Sequence, residues 1–292
     1  MDQATQLRNV IKMRNQAATP QARVITVTSG KGGVGKSNLA VNLAIQLRKA
    51  GKRVIIFDAD FGLANVEVMF GAIPQYNLSD LIFRGMPIRD IITQGPMDIG
   101  FISGGSGVLS LNNLYHDQIM YLVKSLNELN SMADFIIIDT GAGISDQVLE
   151  FVMASPEVLL VTTPEPSSLT DSYSLLKALY RNPNFMSSAT TIHVIPNKVT
   201  SKEEGMAVYE KLESVVEQFL NGHLNFLGMI PQDAALERSV RQQKTVSLNE
   251  PNAHSAKAFE ALAVSLLSDG TMPAQAKWGI SQLFSSFFLR KR

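Results

Sequence analysis

The feature that most constrains the fold is a glycine-rich loop between an apolar run, residues 24–28, and a segment with helical spacing, residues 37–50. The loop reads Gly30-Lys31-Gly32-Gly33-Val34-Gly35-Lys36-Ser37 and matches the pattern G-x-x-x-x-G-K-[ST]. Its glycines let the backbone wrap around phosphates, and the helix that follows presents unpaired N–H groups. Lys36 can offset phosphate charge, and the Ser37 hydroxyl can bind Mg²⁺. The loop therefore predicts a nucleotide-phosphate site.

Strand-like and helix-like segments alternate along the rest of the chain. Apolar, β-branched runs occupy residues 24–28, 54–57, 99–102, 135–138, 158–162, 191–195 and 226–230. Helical spacing covers residues 37–50, 116–130, 145–153, 169–181, 202–220 and about 253–267. Near-continuous hydrophobicity within each run indicates strands buried on both faces. We predict an α/β fold of the P-loop NTPase type, with a mostly parallel central sheet covered by helices on both faces.

Composition excludes several kinds of protein. The chain has 292 residues, of which 45% are hydrophobic, enough for one substantial core. Lys+Arg and Asp+Glu both number 26, so no global charge attracts nucleic acid or membrane. The absence of cysteine excludes a disulfide scaffold, a thiol nucleophile and a Cys-ligated iron–sulfur cluster. Without a signal-peptide pattern or an apolar run of about 20 residues, we expect a cytoplasmic protein.

Carboxylates follow two of the predicted strands. Asp58 and Asp60 come after the run at 54–57, and Asp139 comes directly after the run at 135–138. The carboxyl ends of parallel strands meet at one edge of the sheet, where open α/β folds bind their ligands. Alternation along an extended segment points Asp58 and Asp60 the same way. Asp139 can hold Mg²⁺ directly or through water, as a Walker B carboxylate does.

A second lysine, Lys31, lies inside the phosphate loop, where a standard loop has no need of it. This deviant Walker A loop resembles that of the MinD/ParA ATPases. The resemblance implies that Lys31 reaches across a two-fold interface to the partner's nucleotide, so that ATP holds a homodimer together. It also implies ATP/ADP and Mg²⁺ as ligands, bound by residues 30–37 with Asn38.

The same resemblance assigns roles beyond the loop. Asp60, Lys31 and Lys36 are the implied catalytic residues, with Asp60 positioning the attacking water, and Ser37, Asp60 and Asp139 are the implied metal-site residues. Asp58 and Asn65 support the first switch, and Gly141 and Gly143 give the second switch its flexibility. MinD itself has a proline near Gly141, which indicates a sister branch. Asn197, Pro231 and Asp233 are implied adenine contacts; the alternative is that they only end their strands.

The C-terminal segment predicts an amphipathic helix. Helical spacing places one group of apolar residues on a single face: Ile280, Leu283, Phe284, Phe287 and Phe288. The apolar part is about 18 Å long, too short to cross a bilayer. Its apolar face and basic residues suit an anionic membrane surface, where it would anchor the protein peripherally to the inner face of the cell membrane. The alternative is docking onto the chain's own core, and both can hold in different nucleotide states.

The N-terminus carries a short motif. Five residues match the D-Q-A-x-x-L-R motif associated with FlhG proteins: Asp2, Gln3, Ala4, Leu7 and Arg8. With the ATPase core and the C-terminal helix, this makes the whole chain similar to the FlhG/FleN family, which controls flagellar number and placement. The implied partners are an FlhF-type GTPase stimulated by the motif, flagellar switch (C-ring) proteins and a flagellar transcriptional activator. The alternative for this tail is a disordered leader.

These features divide the chain into four parts. Residues 1–20 form a partner-activating tail, 21–268 a MinD-like ATPase domain, 269–275 a linker, and 276–292 the membrane-targeting helix. A ParA-type DNA segregation ATPase would need a basic surface, which a net charge of +0 fits poorly, so we expect no nucleic-acid partner. An iron–sulfur carrier of the same fold is excluded by the lack of cysteine. A slowly hydrolysing, nucleotide-gated scaffold stays open.

Overall fold

A computed structural model describes residues 21–60, 65–105 and 115–268, together with Ile280. The predicted N-terminal motif lies outside these residues, as do four of the predicted membrane-facing residues: Leu283, Phe284, Phe287 and Phe288. None of the described helices is long and apolar enough to cross a membrane.

The described residues form one central sheet. Its strands are β1 Arg23–Thr28, β2 Val54–Ala59, β3 Thr93–Gln94, β4 Gly100–Ser103, β5 Phe135–Thr140, β6 Glu157–Thr162, β7 Thr191–Val199, β8 Asn225–Phe226 and β9 Ile230–Pro231. The strand order is β3-β4-β2-β5-β1-β6-β7-β8, and β9 also pairs with β7. Every described pair is parallel except β3 with β4. The predicted mostly parallel sheet is therefore confirmed.

Helices connect the strands. They are α1 Lys36–Lys49, α2 Asn65–Phe70, α3 Leu78–Arg84, α4 His116–Met132, α5 Asp146–Ala154, α6 Pro166–Arg181, α7 Lys202–Leu220, α8 Ala234–Arg241, α9 Val246–Asn249 and α10 His254–Ser268. Short 3₁₀ turns occupy Ile88–Ile91, Pro96–Asp98 and Ser187–Ala189.

Side-chain alternation along the strands divides the core between the two faces of the sheet. In β5, Phe135 and Ile137 pack in the cluster that contains α1, α2 and α10, whereas Ile136 and Ile138 pack in the cluster that contains α3 and α4. A third cluster joins α5, α6 and α7 to the strands at one side of the sheet. Helices thus cover both faces, as the continuous apolar runs predicted.

The predicted strand at 226–230 is wrong. The structure divides it into β8 and β9, which pair with different parts of β7: Phe226 lies opposite Val194, and Ile230 lies opposite Asn197. Between them Gly228 has a φ of 153°, a conformation that residues with a Cβ rarely adopt. Leu227 and Ile230 of this run are buried, but the glycine between them interrupts the extended backbone.

Ile280 is the one described residue of the predicted amphipathic helix. Its side chain is fully buried and lies in the α3/α4 cluster, together with apolar residues of β2 and β5. In this conformation Ile280 therefore packs against the chain's own core, the alternative that its sequence left open beside membrane binding.

Candidate nucleotide-binding site

The phosphate loop joins the end of β1 to the start of α1. Gly33 and Gly35 have φ angles of 75° and 104°, in the left-handed region that favours glycine. Gly35 is the N-cap of α1, and no side chain caps that helix. The first N–H groups of α1 are therefore available to an anionic ligand.

Gly30 is required by a close approach of two backbones. A Cβ on Gly30 would lie 2.2 Å from the carbonyl of Asp171 in α6, whereas a Cβ on Gly32 would meet nothing within 4 Å. The loop thus rests directly on the backbone of α6. Gly30 is required by this contact, whereas Gly35 is required both by its backbone conformation and by Nδ2 of Asn197, which a Cβ would approach to 2.3 Å.

Asp58 and Asp139 lie beside each other at the carboxyl ends of β2 and β5. Both are buried on the α1 side of the sheet. Burial raises the pKa of Asp58 to about 8, and the charge of Asp139 adds to that shift. Burial also raises the pKa of Asp139 to about 6, although the nearby Ser37 hydroxyl and Lys36 ammonium oppose it. Neither carboxylate oxygen of Asp139 accepts a hydrogen bond of ordinary geometry from the described residues.

Lys36 lies near two carboxylates, those of Asp139 and Asp60. It is buried at the first position of α1, and burial lowers the pKa of its ammonium while Asp139 and Asp60 oppose the shift. The buried ammonium is suited to bind phosphate oxygens, and the buried carboxylates are suited to bind a divalent cation. A nucleotide with its metal ion would supply both.

The two predicted switches meet beside the phosphate loop. Oδ1 of Asp58 accepts the N–H of Asp60 at 3.1 Å, which places Asp60 directly after β2. A Cβ on Gly141 would lie 3.9 Å from Oδ1 of Asp60. The N–H of Gly143, which has a φ of 92°, donates to the Ser29 carbonyl at 3.0 Å. Asn65 is the first residue of α2.

Lys31 points away from its own loop. Its Nζ donates to Oε2 of Glu165 at 2.9 Å and to the Ser167 hydroxyl at 2.7 Å. These partners belong to the segment 163–172, which leads from β6 into α6. The side chain of Lys31 keeps 35% of its surface exposed. Its ammonium is therefore at the surface, not among the loop N–H groups.

A cavity of about 740 Å³ opens beside the loop. Its volume falls in the usual range for small-molecule sites. The predicted residues that line it are Gly33, Gly35, Asn38, Asn197, Pro231 and Asp233. It thus brings both predicted adenine-contact segments to the phosphate loop, although their sequence positions are far apart.

Two of these lining residues use their polar groups within the protein. Nδ2 of Asn197 donates to the Val34 carbonyl at 2.7 Å, and its Oδ1 accepts the N–H of Lys198. The Asp233 carboxylate caps α8 through the N–H of Ala235 and accepts two hydrogen bonds from Ser255. Both residues shape the cavity, and in this conformation their polar atoms hold neighbouring segments in place.

The further residues that line the cavity include three that have no site role in the sequence analysis: Lys198, Thr200 and Glu204. Lys198 and Thr200 belong to the same exit of β7 as Asn197, so the position of Asn197 was the available signal. Glu204 has a weaker signal, the Ser-x-x-Glu spacing from Ser201, which is the N-cap of α7.

Comparisons with known proteins agree with this geometry. A family model described as ParA, NUBPL iron-transfer P-loop NTPase, matches residues 21–267. The antiactivator FleN of Pseudomonas aeruginosa is 38% identical over 251 residues, covering 86% of this chain and 88% of FleN. The chain therefore belongs to the ParA/MinD family of P-loop NTPases, and it is an ATPase of that family.

Within the family, a second relative extends over nearly the whole chain. The flagellum site-determining protein YlxH of Helicobacter pylori is 33% identical over 291 residues, 97% of each chain. The MinD cell-division ATPase of Pyrococcus furiosus has the same fold, with a TM-score of 0.66, 24% identity, and coverage of 85% of this chain and 99% of MinD. The chain thus groups with FleN and YlxH inside a fold that it shares with MinD.

Proposed function

We propose that this chain is an ATP-gated dimerisation switch that regulates the number and placement of flagella. The observation that carries the proposal is the position of Lys31, whose ammonium lies outside its own phosphate loop and contacts Glu165, a residue that lines the cavity. A lysine so placed is poorly located to bind its own nucleotide and well located to meet a second chain. The flagellar role is supported by the similarity to FleN and YlxH.

The described residues fit ATP with Mg²⁺. The unpaired, buried oxygens of Asp139 face Lys36 and lie near Ser37, so a cation there would supply the missing partners. Ser37 and Asp139 would hold the ion, with Asp60 close to it. Bound Mg²⁺ neutralises phosphate charge in phosphoryl transfer. Residues 30–38 would bind the phosphates, and Asn197, Pro231 and Asp233 would border the adenine.

Asp60 is the proposed hydrolytic residue. It lies between the Asp58 carboxylate, which holds its N–H, and the switch glycine Gly141. From that position its carboxylate can orient a water toward a phosphate held by Lys36. Asn65, Gly141 and Gly143 would let the two switches move as the γ-phosphate is lost.

The two tails would make membrane binding and stimulation of a partner GTPase depend on the bound nucleotide. Residues 1–20 would stimulate an FlhF-type GTPase, and residues 276–292, joined by a linker at 269–275, would bind an anionic membrane from the cytoplasmic side. One apolar helix binds a membrane weakly, whereas a dimer presents two and gains from effective concentration. Ile280 is buried in the α3/α4 cluster, which supports a helix that can dock on the core, and we propose that it does so when ATP is absent. Flagellar switch proteins and a transcriptional activator are the further proposed partners.

The decisive experiment measures molar mass in solution with ADP and with ATP. Asp60→Ala should trap ATP and give a stable dimer, and Asp60→Ala with Lys31→Ala should stay monomeric while still binding ATP. Asp60→Ala with Lys211→Ala, which removes an exposed lysine of α7, is the matched control and should dimerise. A monomeric Asp60→Ala chain loaded with ATP would contradict the switch.

Membrane binding is tested separately by co-sedimentation with anionic liposomes. The full chain should pellet with ATP more than with ADP, and a chain that ends at Pro273 should remain in the supernatant with either nucleotide. If neither chain pellets with either nucleotide, residues 276–292 are a helix that docks on the core; if both pellet, membrane binding lies outside these residues.

A further inference from the structure

Any loop that turns its N–H groups toward phosphates must turn carbonyls away from them, and each of these carbonyls needs a donor. In this chain three of the loop carbonyls accept hydrogen bonds from side chains. The Ser29 hydroxyl donates to the Lys31 carbonyl at 2.7 Å, Nζ of Lys198 to the Gly33 carbonyl at 3.0 Å, and Nδ2 of Asn197 to the Val34 carbonyl at 2.7 Å. Two of these three donors come from one dipeptide, more than 160 residues away in the chain.

The backbone at the exit of β7 is shaped to deliver that dipeptide. The pairing of β7 with β9 shifts register between Asn197 and Val199, as in a β-bulge, which redirects the side chain between them. That residue, Lys198, has a φ of 59°. A lysine in this left-handed region is uncommon, and the conformation is a local backbone strain of the kind found at functional sites.

The orientation of the Asn197 side chain is fixed by a hydrogen bond within the dipeptide. Asn197 is buried, and its Oδ1 accepts the N–H of Lys198 at 2.8 Å, which sets which end of the amide faces Val34. A Cβ on Gly35 would lie 2.3 Å from Nδ2 of Asn197, so the amide is pressed against the loop. The two residues therefore act as one unit.

Lys198 adds charge to this unit. A cationic donor makes a stronger hydrogen bond than a neutral one. The positive charge of Lys198 also contributes to a lowered pKa of Glu165, the carboxylate whose main partner is Lys31. The Glu165 carboxylate thus lies near both Lys31, which belongs to the loop, and Lys198, which contacts the loop.

We propose that Lys198 is a positioning residue that holds the Gly33 carbonyl outward and so preorganises the phosphate loop before nucleotide arrives. This inference rests on the proposed nucleotide site. Because the contact is with the loop and not with a base or a γ-phosphate, removing it should weaken every ligand that uses the loop N–H groups. ATP, ADP and inorganic pyrophosphate should be affected alike, while turnover at saturating ATP should change little.

The test is binding of the three ligands, each with Mg²⁺, to the full chain and to Lys198→Met and Lys198→Arg. Lys198→Met should weaken all three about tenfold, raise KM in proportion and leave kcat within about twofold. Lys198→Arg keeps a cationic donor and should restore most of the affinity. Lys211→Met, which changes an exposed lysine to the same side chain, should bind like the wild type.

Four results would overturn the proposal. A loss confined to ATP would make Lys198 a γ-phosphate contact, and a loss for both nucleotides but not pyrophosphate would make it a base contact. Unchanged binding, or a wild-type chain that binds nucleotides but no pyrophosphate, would show that the loop is not prepared in this way. Failure of the wild type to bind any nucleotide would instead refute the proposed function.

Discussion

Nζ of Lys31 lies 2.9 Å from Oε2 of Glu165 in the same chain, with both side chains at the surface. Exposed ion pairs are screened by water and contribute little to stability. The pair therefore places Lys31 without holding it strongly, which suits a residue that must exchange one anionic partner for another. Glu165→Gln should leave the melting temperature of the nucleotide-free chain unchanged; a clear loss of stability would mean that the segment after β6 depends on the pair.

The buried ion pair between Arg23 and Glu157, in contrast, should contribute to stability. Arg23 donates two hydrogen bonds of 2.7 Å to the Glu157 carboxylate, and His193 lies 3.4 Å from the same group. Removing one partner of a buried pair leaves an uncompensated charge, at a cost of roughly 3 kcal/mol. Glu157→Gln should lower the free energy of unfolding by about that amount in urea titrations. Glu165→Gln is its matched control, and equal effects of the two substitutions would contradict this difference in burial.

Alanine at Gly30 should damage the site, whereas alanine at Gly32 should not. The added Cβ at Gly30 would lie 2.2 Å from backbone atoms of Asp171, so either the loop or α6 must move. We expect Gly30→Ala to weaken ADP binding at least tenfold, about 1.4 kcal/mol, by isothermal titration calorimetry. Gly32→Ala, which meets nothing within 4 Å, should bind nearly as the wild type. Similar losses in both would assign the effect to loop flexibility.

Stability without nucleotide and Mg²⁺ should fall as pH rises. The pKa of Asp58 is raised from 3.8 to about 8 in the folded chain. A carboxyl with a raised pKa stabilises the fold fully below pH 3.8 and loses that contribution as pH rises through about 8. Between about pH 5 and 8, the free energy of unfolding of the wild type should therefore fall by ~2 kcal/mol more than that of Asp58→Asn. In thermal unfolding this is a difference of about 5 °C in the shift of the melting temperature.

The control for this pH experiment is Asp134→Asn. Arg53 lowers the pKa of Asp134, so that group titrates below the window and its removal should not change the slope. If Asp58→Asn and the wild type show the same slope, Asp58 is ionised in the folded chain throughout.

Patterns that are local in sequence predicted most of the fold. The phosphate loop, the strands that end at Asp58 and Asp139, and the helix at 202–220 follow from residues close together in the chain. The short helices α2 and α3 were missed, although Asn77 and Asp80 form a capping box at the start of α3 that could have been recognised. Short helices carry too few apolar repeats for periodicity to reveal them.

What the sequence could not predict depends on contacts between distant residues. Asn197 is predicted to contact adenine, and its amide also donates to the Val34 carbonyl of the phosphate loop. Asp233 is predicted to contact the same base, and one of its oxygens also accepts hydrogen bonds from Ser255 of α10. No local pattern shows which polar group a folded chain will use for its own structure.

Arg23 also donates a hydrogen bond to the carbonyl of Leu266, so the first strand of the core touches the end of its last helix. The polypeptide of the core thus enters and leaves at the same corner, on the side of β1 away from the phosphate loop. A short peptide could join these two ends, and new ends could be opened at a surface turn elsewhere, which is the geometry that circular permutation requires.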